Sequence, residues 1–251
     1  MKKEYSELDF KEHLEKEHKL STLSTHIREI VYGGTDGIIT TFAVVAGFSG
    51  AQAITSDSTL PILAVLLFGF ANLFADGASM GLGNFLSVRA DQDLYKREKD
   101  KERKEIKENT DMEKAETTHI LMSRGFTQGE AAKMAEIYAR NEGPWVDFMM
   151  REELGMPSPE SENPFLTGLI TFLAFILFGF IPLTPYVFTQ NILSSHSFSY
   201  SILFTFVALL ILGISRWKVT RQSISRSVGE TVLLGSISAI IAYFVGTMFR
   251  Q

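Results

Sequence analysis

"LPILAVLLFGFANLFADGASMGLGNFLSVRADQD", residues 60–93, decides the fold class. No charge appears in it before Asp76, and none follows until Arg89. A helix needs roughly 20 apolar residues to cross a hydrocarbon core of about 30 Å, and this run is long enough. An acid at the centre of a bilayer costs roughly 2.5–3.5 kcal/mol even on the milder insertion scales, and it usually faces a bundle interior or a water-filled cavity. Asp76 is therefore read first as a functional group. The competing reading is a hydrogen-bonded or snorkelling acid with no role beyond structure.

Working outward, windows of the same kind occupy residues 30–54, 165–188, 199–215 and 228–249, which with 60–88 makes five predicted spans. Charge is nearly absent from 30–88 and 165–215 but dense from 89 to 164, so the mean hydropathy of +0.10 averages two unlike materials. The predicted fold is an all-α membrane protein: five transmembrane helices with a cytosolic helical metal-binding insert between spans two and three. Its segments are 1–28, an amphipathic amino-terminal stretch; 29–90, spans one and two; 91–163, the insert; and 164–251, spans three to five. Of the 24 Lys and Arg residues, six lie in 1–28, thirteen in 89–164, four in 216–226, and the last is Arg250. The positive-inside rule then puts the amino terminus and the insert in the cytosol and the carboxyl terminus outside or in a lumen. The first 28 residues alternate charge with Leu8, Phe10, Leu14, Leu20, Leu23 and Ile27, which suits a helix lying on the membrane surface.

Absence of cysteine excludes disulfides, thiolate metal sites and a cysteine nucleophile. The net charge of −5 comes from acids and bases that are interleaved, so nothing points to nucleic acid. The start has no apolar stretch of its own and is not read as a cleavable signal peptide.

Within span two, Asn72, Asp76, Met80 and Asn84 are four apart and form a polar stripe on one helical face. Ala75, Gly77, Ala78, Gly81 and Gly83 keep that helix slim, as Gly33 and Gly37 do beside Asp36 in span one. Asp36 and Asp76, the two acids clearly within the first two spans, are expected to face one narrow path. Glu230, at the start of the last span, is expected at the cytosolic interface.

Span two is predicted to continue as one rod to about Lys107. Three further helices are expected: one capped at Thr110 or Asp111 and stopped by Gly125, one over 127–141, and one opened by Pro144 and closed by Gly155. Glu98, Glu102 and Glu105 share one face of the rod, and Glu113 and Glu116 repeat the three-residue step on the next helix. Carboxylates presented by two helices can share a cation, since like charges repel until a metal arrives. In a segment this rich in Lys and Glu, ion pairing on a solvated face is the commoner explanation of the same pattern. Met149 and Met150 with Glu153 add soft donors acceptable to ions such as Fe²⁺, although "DFMM" also reads as helix core. Glu116 and His119 form one Glu-x-x-His step, where di-iron bundles need two.

"TDGIITTFAVVAGFSGA", "ANLFADGASMGLGNFLSVRADQD" and "WVDFMMREELGM" together resemble the vacuolar iron transporter family, from about residue 28 to the end. The resemblance implies a homodimer of five-span protomers that moves Fe²⁺, and often Mn²⁺, out of the cytosol in exchange for protons. The metal is substrate, with no permanent cofactor. It implies ion-gathering ligands at Glu102, Glu105, Glu113, Glu116, Met149, Met150 and Glu153, and a membrane path using Asp36 and Met80. Many members carry a glutamate where this chain has Asn84, and a small residue where it has Asp76, which suggests that Asp76 takes over the charge. The alternatives are a membrane-anchored di-iron carboxylate oxidase and a metal-gated channel or sensor. A prokaryotic cell membrane is expected, with a vacuolar membrane as the alternative.

Overall fold

The structure is a computed structural model that describes residues 6–17, 21–51, 59–188 and 197–248. Leu20, Arg250, the end of the first apolar window and most of the connections at 55–59 and 189–198 lie outside the described residues. Every regular element among the described residues is helical: α1 (Glu7–Glu17), α2 (Thr22–Thr25), α3 (Ile27–Ala51), α4 (Thr59–Glu108), α5 (Thr110–Ser123), α6 (Gln128–Ala139), α7 (Glu142–Glu152), α8 (Pro164–Gly179), a 3₁₀ turn (Ile181–Leu183), α9 (Thr184–Val187), α10 (Ser197–Thr220) and α11 (Ile224–Met248). The chain divides into two compact units, residues 1–84 with 166–251, and Phe85–Phe165.

The first unit contains helices long and apolar enough to cross a membrane: α3, the apolar part of α4, α8 continuing into α9, α10 and α11. This is a multi-pass integral membrane protein. Leu63, Leu67, Leu82, Leu177 and Phe244 are each more than 60% exposed, the outward apolar surface that lipid requires. Inside, one cluster gathers Phe42, Val45, Val65, Leu73, Phe175 and Leu183, and another gathers Ile38, Ala208, Leu209 and Leu212. Pro182 and Pro185 break α8 from α9, because proline supplies no backbone donor and fits only in a first turn. Glycine decides two crossings. A Cβ on Gly37 would strike the Phe175 carbonyl, and one on Gly81 would lie 2.9 Å from the Gly168 carbonyl, so α3 and α4 each approach α8 backbone to side. On α1, Leu8, Phe10 and Leu14 are all exposed.

The second unit is built from the charged end of α4 with α5, α6 and α7. Its core holds Tyr95, Ile106, Leu121, Trp145, Val146, Phe148, Met149 and Met150. Lys99 Nζ reaches Asp147 at 2.7 Å and ties α4 to α7. The rod ends one residue beyond the expected Lys107. The expected caps are corrected: α5 follows Asn109, which makes no side-chain cap bond, and the Thr110 hydroxyl instead donates back to the Ile106 carbonyl at 2.7 Å. Pro144 sits inside the first turn of α7, which opens at Glu142. Gly125 and Gly155, with φ of 99° and 64°, provide the left-handed residues after α5 and α7.

Candidate metal centre and membrane carboxylates

Glu102 on α4, Glu113 on α5 and Glu153 after α7 each offer a carboxylate oxygen, and these oxygens lie within 4.8 Å of one another. Glu102 is 3% exposed and Glu113 6%, while Glu153 opens to solvent. One oxygen of Glu102 and one of Glu113 are buried with no hydrogen-bond partner. A buried charged oxygen without a partner is costly, so the group must shed its charge or acquire a cation. Burial pushes the Glu102 carboxyl up to about 8, with the charges of Glu113, Glu153 and Glu105 adding to it. Burial likewise raises Glu113 to about 7, helped by Glu116 and Glu153. Glu153 is also raised, first by partial desolvation and then by Glu116 and Glu105, while Lys101 opposes. Five glutamates from three segments thus feel one another's charge, as a proton-loaded or cation-ready cluster does.

Spacing alone treated Glu98, Glu102 and Glu105 as equals, but the structure separates them. Glu102 turns into the cluster, Glu105 stays half-exposed with Lys101 Nζ at 3.7 Å, and Glu98 pairs with Arg97. Glu116 stands at the margin and His119 is exposed. Met149 and Met150 are completely buried in the unit's core. Thr117 and Trp145 escaped sequence reasoning, because their importance lies in a contact no spacing reports: Trp145 Nε1 donates to Thr117 Oγ1 at 2.8 Å, and that hydroxyl approaches Met149 Sδ at 3.4 Å.

In the first unit, Asp36 and Asp76 lie within Coulombic range of each other, but they line different cavities. Asp76 and Asn72 open onto about 650 Å³ bounded by Val44, Gly47, Phe48 and Phe68. Asp36 and Thr35 border about 540 Å³ that also meets Tyr32 and Arg216. Each aspartate thus has an opening of its own beside it. The polar stripe also splits. Asn84 donates to the Thr171 hydroxyl on α8 at 2.7 Å, and Met80 packs against the apolar cluster around Leu73. The expectation that Asp36 and Asp76 were the acids of spans one and two missed Glu29. It is 7% exposed in the first turn of α3, with one oxygen unpaired, Arg28 at 3.3 Å and His26 at 3.9 Å. Its position two residues into the first apolar helix was the available signal. Glu230 binds Arg216 at 2.8 Å and Arg226 at 3.0 Å.

Comparison with known proteins finds relatives that match most of the chain. Vacuolar iron transporter 1 of Arabidopsis thaliana is 33% identical over 225 residues, which cover 90% of this chain and 86% of that protein. A vacuolar iron transporter of Toxoplasma gondii is 33% identical over 94% of this chain and 78% of its own length, and vacuolar iron transporter 1 of rice is 33% identical over 86% and 82%. These relatives are named as transporters, not enzymes. The family model described as the VIT family matches residues 27–247, and the chain belongs to that family.

Proposed function

We propose that this protein moves Fe²⁺, or a similar divalent transition metal such as Mn²⁺, out of the cytosol in exchange for protons. The observation that carries the reading is the convergence of Glu102, Glu113 and Glu153 with two buried, unpartnered oxygens. In this reading the second unit is the cytosolic collector. Glu105 and Glu116 complete its rim, and Met149 and Met150 supply thioethers that favour Fe²⁺ over Mg²⁺ or Ca²⁺. Asp36, Asp76 and Met80 carry the ion through the spans, and the two aspartates exchange metal for protons. Asn84 acts there as a positioning group through Thr171.

The functional unit is a homodimer. Asp76 stands in an open cavity on α4, and a carboxylate facing lipid is costly unless another surface covers it. The same face of a second copy supplies that cover.

The test is Fe²⁺ flux in proteoliposomes loaded with an iron-sensitive dye, with and without a pH gradient. Asp36→Ala, Asp76→Ala and Glu102→Gln are each expected to slow flux at least about 10-fold, and collapse of the gradient to abolish accumulation. Parental rates in the two aspartate variants would sink the membrane path, and gradient-independent flux would convert the transporter into a channel.

A further inference from the structure

We propose that Thr117, oriented by Trp145, is a positioning residue that aims the Met149 thioether at the carboxylate cluster and so sets the preference for cations that accept sulfur. The inference rests on the metal-collecting reading of the second unit.

The three side chains are buried to within 1% of complete. The direction of the bonds follows from their chemistry. An indole nitrogen can only donate, so Trp145 Nε1–H occupies a lone pair of Thr117 Oγ1 at 2.8 Å. The hydroxyl has one hydrogen, and the 3.4 Å contact leaves it pointing at Met149 Sδ. Helical threonines of this protein commonly turn that hydrogen back onto their own backbone: the neighbouring Thr118 donates to the Lys114 carbonyl at 2.7 Å, and Thr171 and Thr231 do the same one turn back. Thr117 spends its hydrogen across the helix interface instead.

The contact lies on the same seam as the cluster. Thr117 is one turn after Glu113 on α5, and Met149 is one turn before Glu153 at the end of α7. Glu113 and Glu153 converge with Glu102, and the helical period puts Thr117 and Met149 one turn from those two glutamates on α5 and α7. Methionine has three rotatable bonds and adapts to whatever space it is given. A hydrogen bond to one sulfur lone pair fixes the orientation of the other. That free lone pair gives the carboxylate cage an oriented soft donor, and softness separates Fe²⁺ and Co²⁺ from harder ions. Groups that orient metal ligands typically matter by 10–100-fold in affinity.

The experiment titrates the full-length protein in detergent with Co²⁺, an air-stable probe, and in parallel with Mn²⁺. Thr117→Val and Met149→Leu should both weaken Co²⁺ binding about 10-fold while changing Mn²⁺ binding less than about 3-fold, and Thr117→Ser should restore the parental ratio. The sulfur scatterer in the Co²⁺ X-ray absorption spectrum should disappear in Thr117→Val and return in Thr117→Ser. Trp145→Phe, which keeps the hydroxyl but removes its orienting donor, should give a smaller loss of the same selectivity and serves if Thr117→Val fails to fold. Parental Co²⁺ affinity in Thr117→Val, or equal loss of both ions in variants with parental near-ultraviolet circular dichroism, would overturn the proposal. Glu102→Gln and Glu113→Gln separate the two failures. If they bind Co²⁺ like the parent, the metal reading itself falls and takes this inference with it; if they lose Co²⁺ while Thr117→Val does not, only the positioning role falls.

Discussion

The two units bury different polar groups. In the membrane unit they are mainly hydroxyls: Thr171 and Thr231 turn onto the Thr167 and Ser227 carbonyls of their own helices, both at 2.9 Å, while those of Thr41, Thr205 and Ser227 are buried without a hydrogen-bond partner. Its helices meet where glycines let backbone approach backbone, and its large apolar side chains face outward. The second unit turns its apolar residues inward around Trp145 and keeps carboxylates, two of them with unpaired oxygens, at the edge of that core. Glu29 aside, the fully buried polar side chains of the first unit are neutral hydroxyls, while the second holds carboxylates that only protons or a cation can complement. Errors of volume should therefore damage the first, and errors of charge the second.

The largest effect expected from this contrast is steric. Gly37→Leu places a side chain against the Phe175 carbonyl, which belongs to a backbone that cannot rotate away. Overpacking costs about 1–3 kcal/mol when side chains can adjust, so a loss of about 3 kcal/mol or more is expected here. Yield of monodisperse protein and thermal melting in detergent would register it. A parental melt would show that α3 and α8 tolerate separation, and the contrast would weaken.

A charge change in the second unit should leave folding intact and remove binding. The double variant Glu102→Gln/Glu113→Gln is expected to lose at least about 100-fold in Co²⁺ affinity, about 2.8 kcal/mol, because it deletes two anionic donors from one site. Metal-free, it should melt no lower than the parent, since it also removes mutual repulsion. A lower melt would mean that the carboxylates stabilise the unit by contacts of their own.

The same repulsion gives a pH dependence whose sign is fixed. Glu102 and Glu113 are raised from 4.5 to about 8 and about 7. The folded unit thus holds protons that the unfolded chain releases, and its stability falls as pH rises between those values. Metal-free protein should be most stable below about pH 4.5 as far as these groups are concerned, and its Tm should drop about 5 °C by pH 8.5. Bound metal should flatten the curve, and uptake should release protons. A Tm that rises over this range would contradict the assignment of buried, protonated carboxyls.

How much of this was legible in the sequence follows from the same contrast. The spans were readable because lipid imposes a long uncharged run on every crossing helix, and Asp76 stood out against such a run. Glu29 did not, since an acid at the head of a span looks like ordinary interfacial charge until burial is known. In the second unit the periodicity placed Glu98, Glu102 and Glu105 on one face but could not rank them, because each is about one helical turn from the next, and the basic neighbours that pair with Glu98 and Glu105 do not show in a spacing. The Trp145, Thr117 and Met149 contact joins residues 28 and 32 positions apart and has no periodic signature. Separate cavities for Asp36 and Asp76 were equally unreadable, because helix faces are known from sequence only relative to their own axis.

The smallest expected effect isolates the scaffold from the site inside the second unit. Helix α6 begins with a complete capping box: the Glu130 carboxylate accepts from the Thr127 backbone at 2.9 Å, and the Thr127 side chain accepts in turn from the Glu130 backbone. Helices α5 and α7, of which the first carries Glu113 and the second leads into Glu153, start at Asn109 and Asn141 with no side-chain cap. The helix with local reinforcement is thus the one that contributes no cluster residue, while the two that do are held by packing around Trp145. Thr127→Ala should cost about 1 kcal/mol in thermal or denaturant melts. It should leave Co²⁺ affinity within about 2-fold of the parent, because the cap acts on α6 and the ligands stand on α4, α5 and the end of α7. A 10-fold loss of affinity would show that the cluster is shaped through α6 as well, and the carboxylate seam would then extend beyond the three segments that carry it.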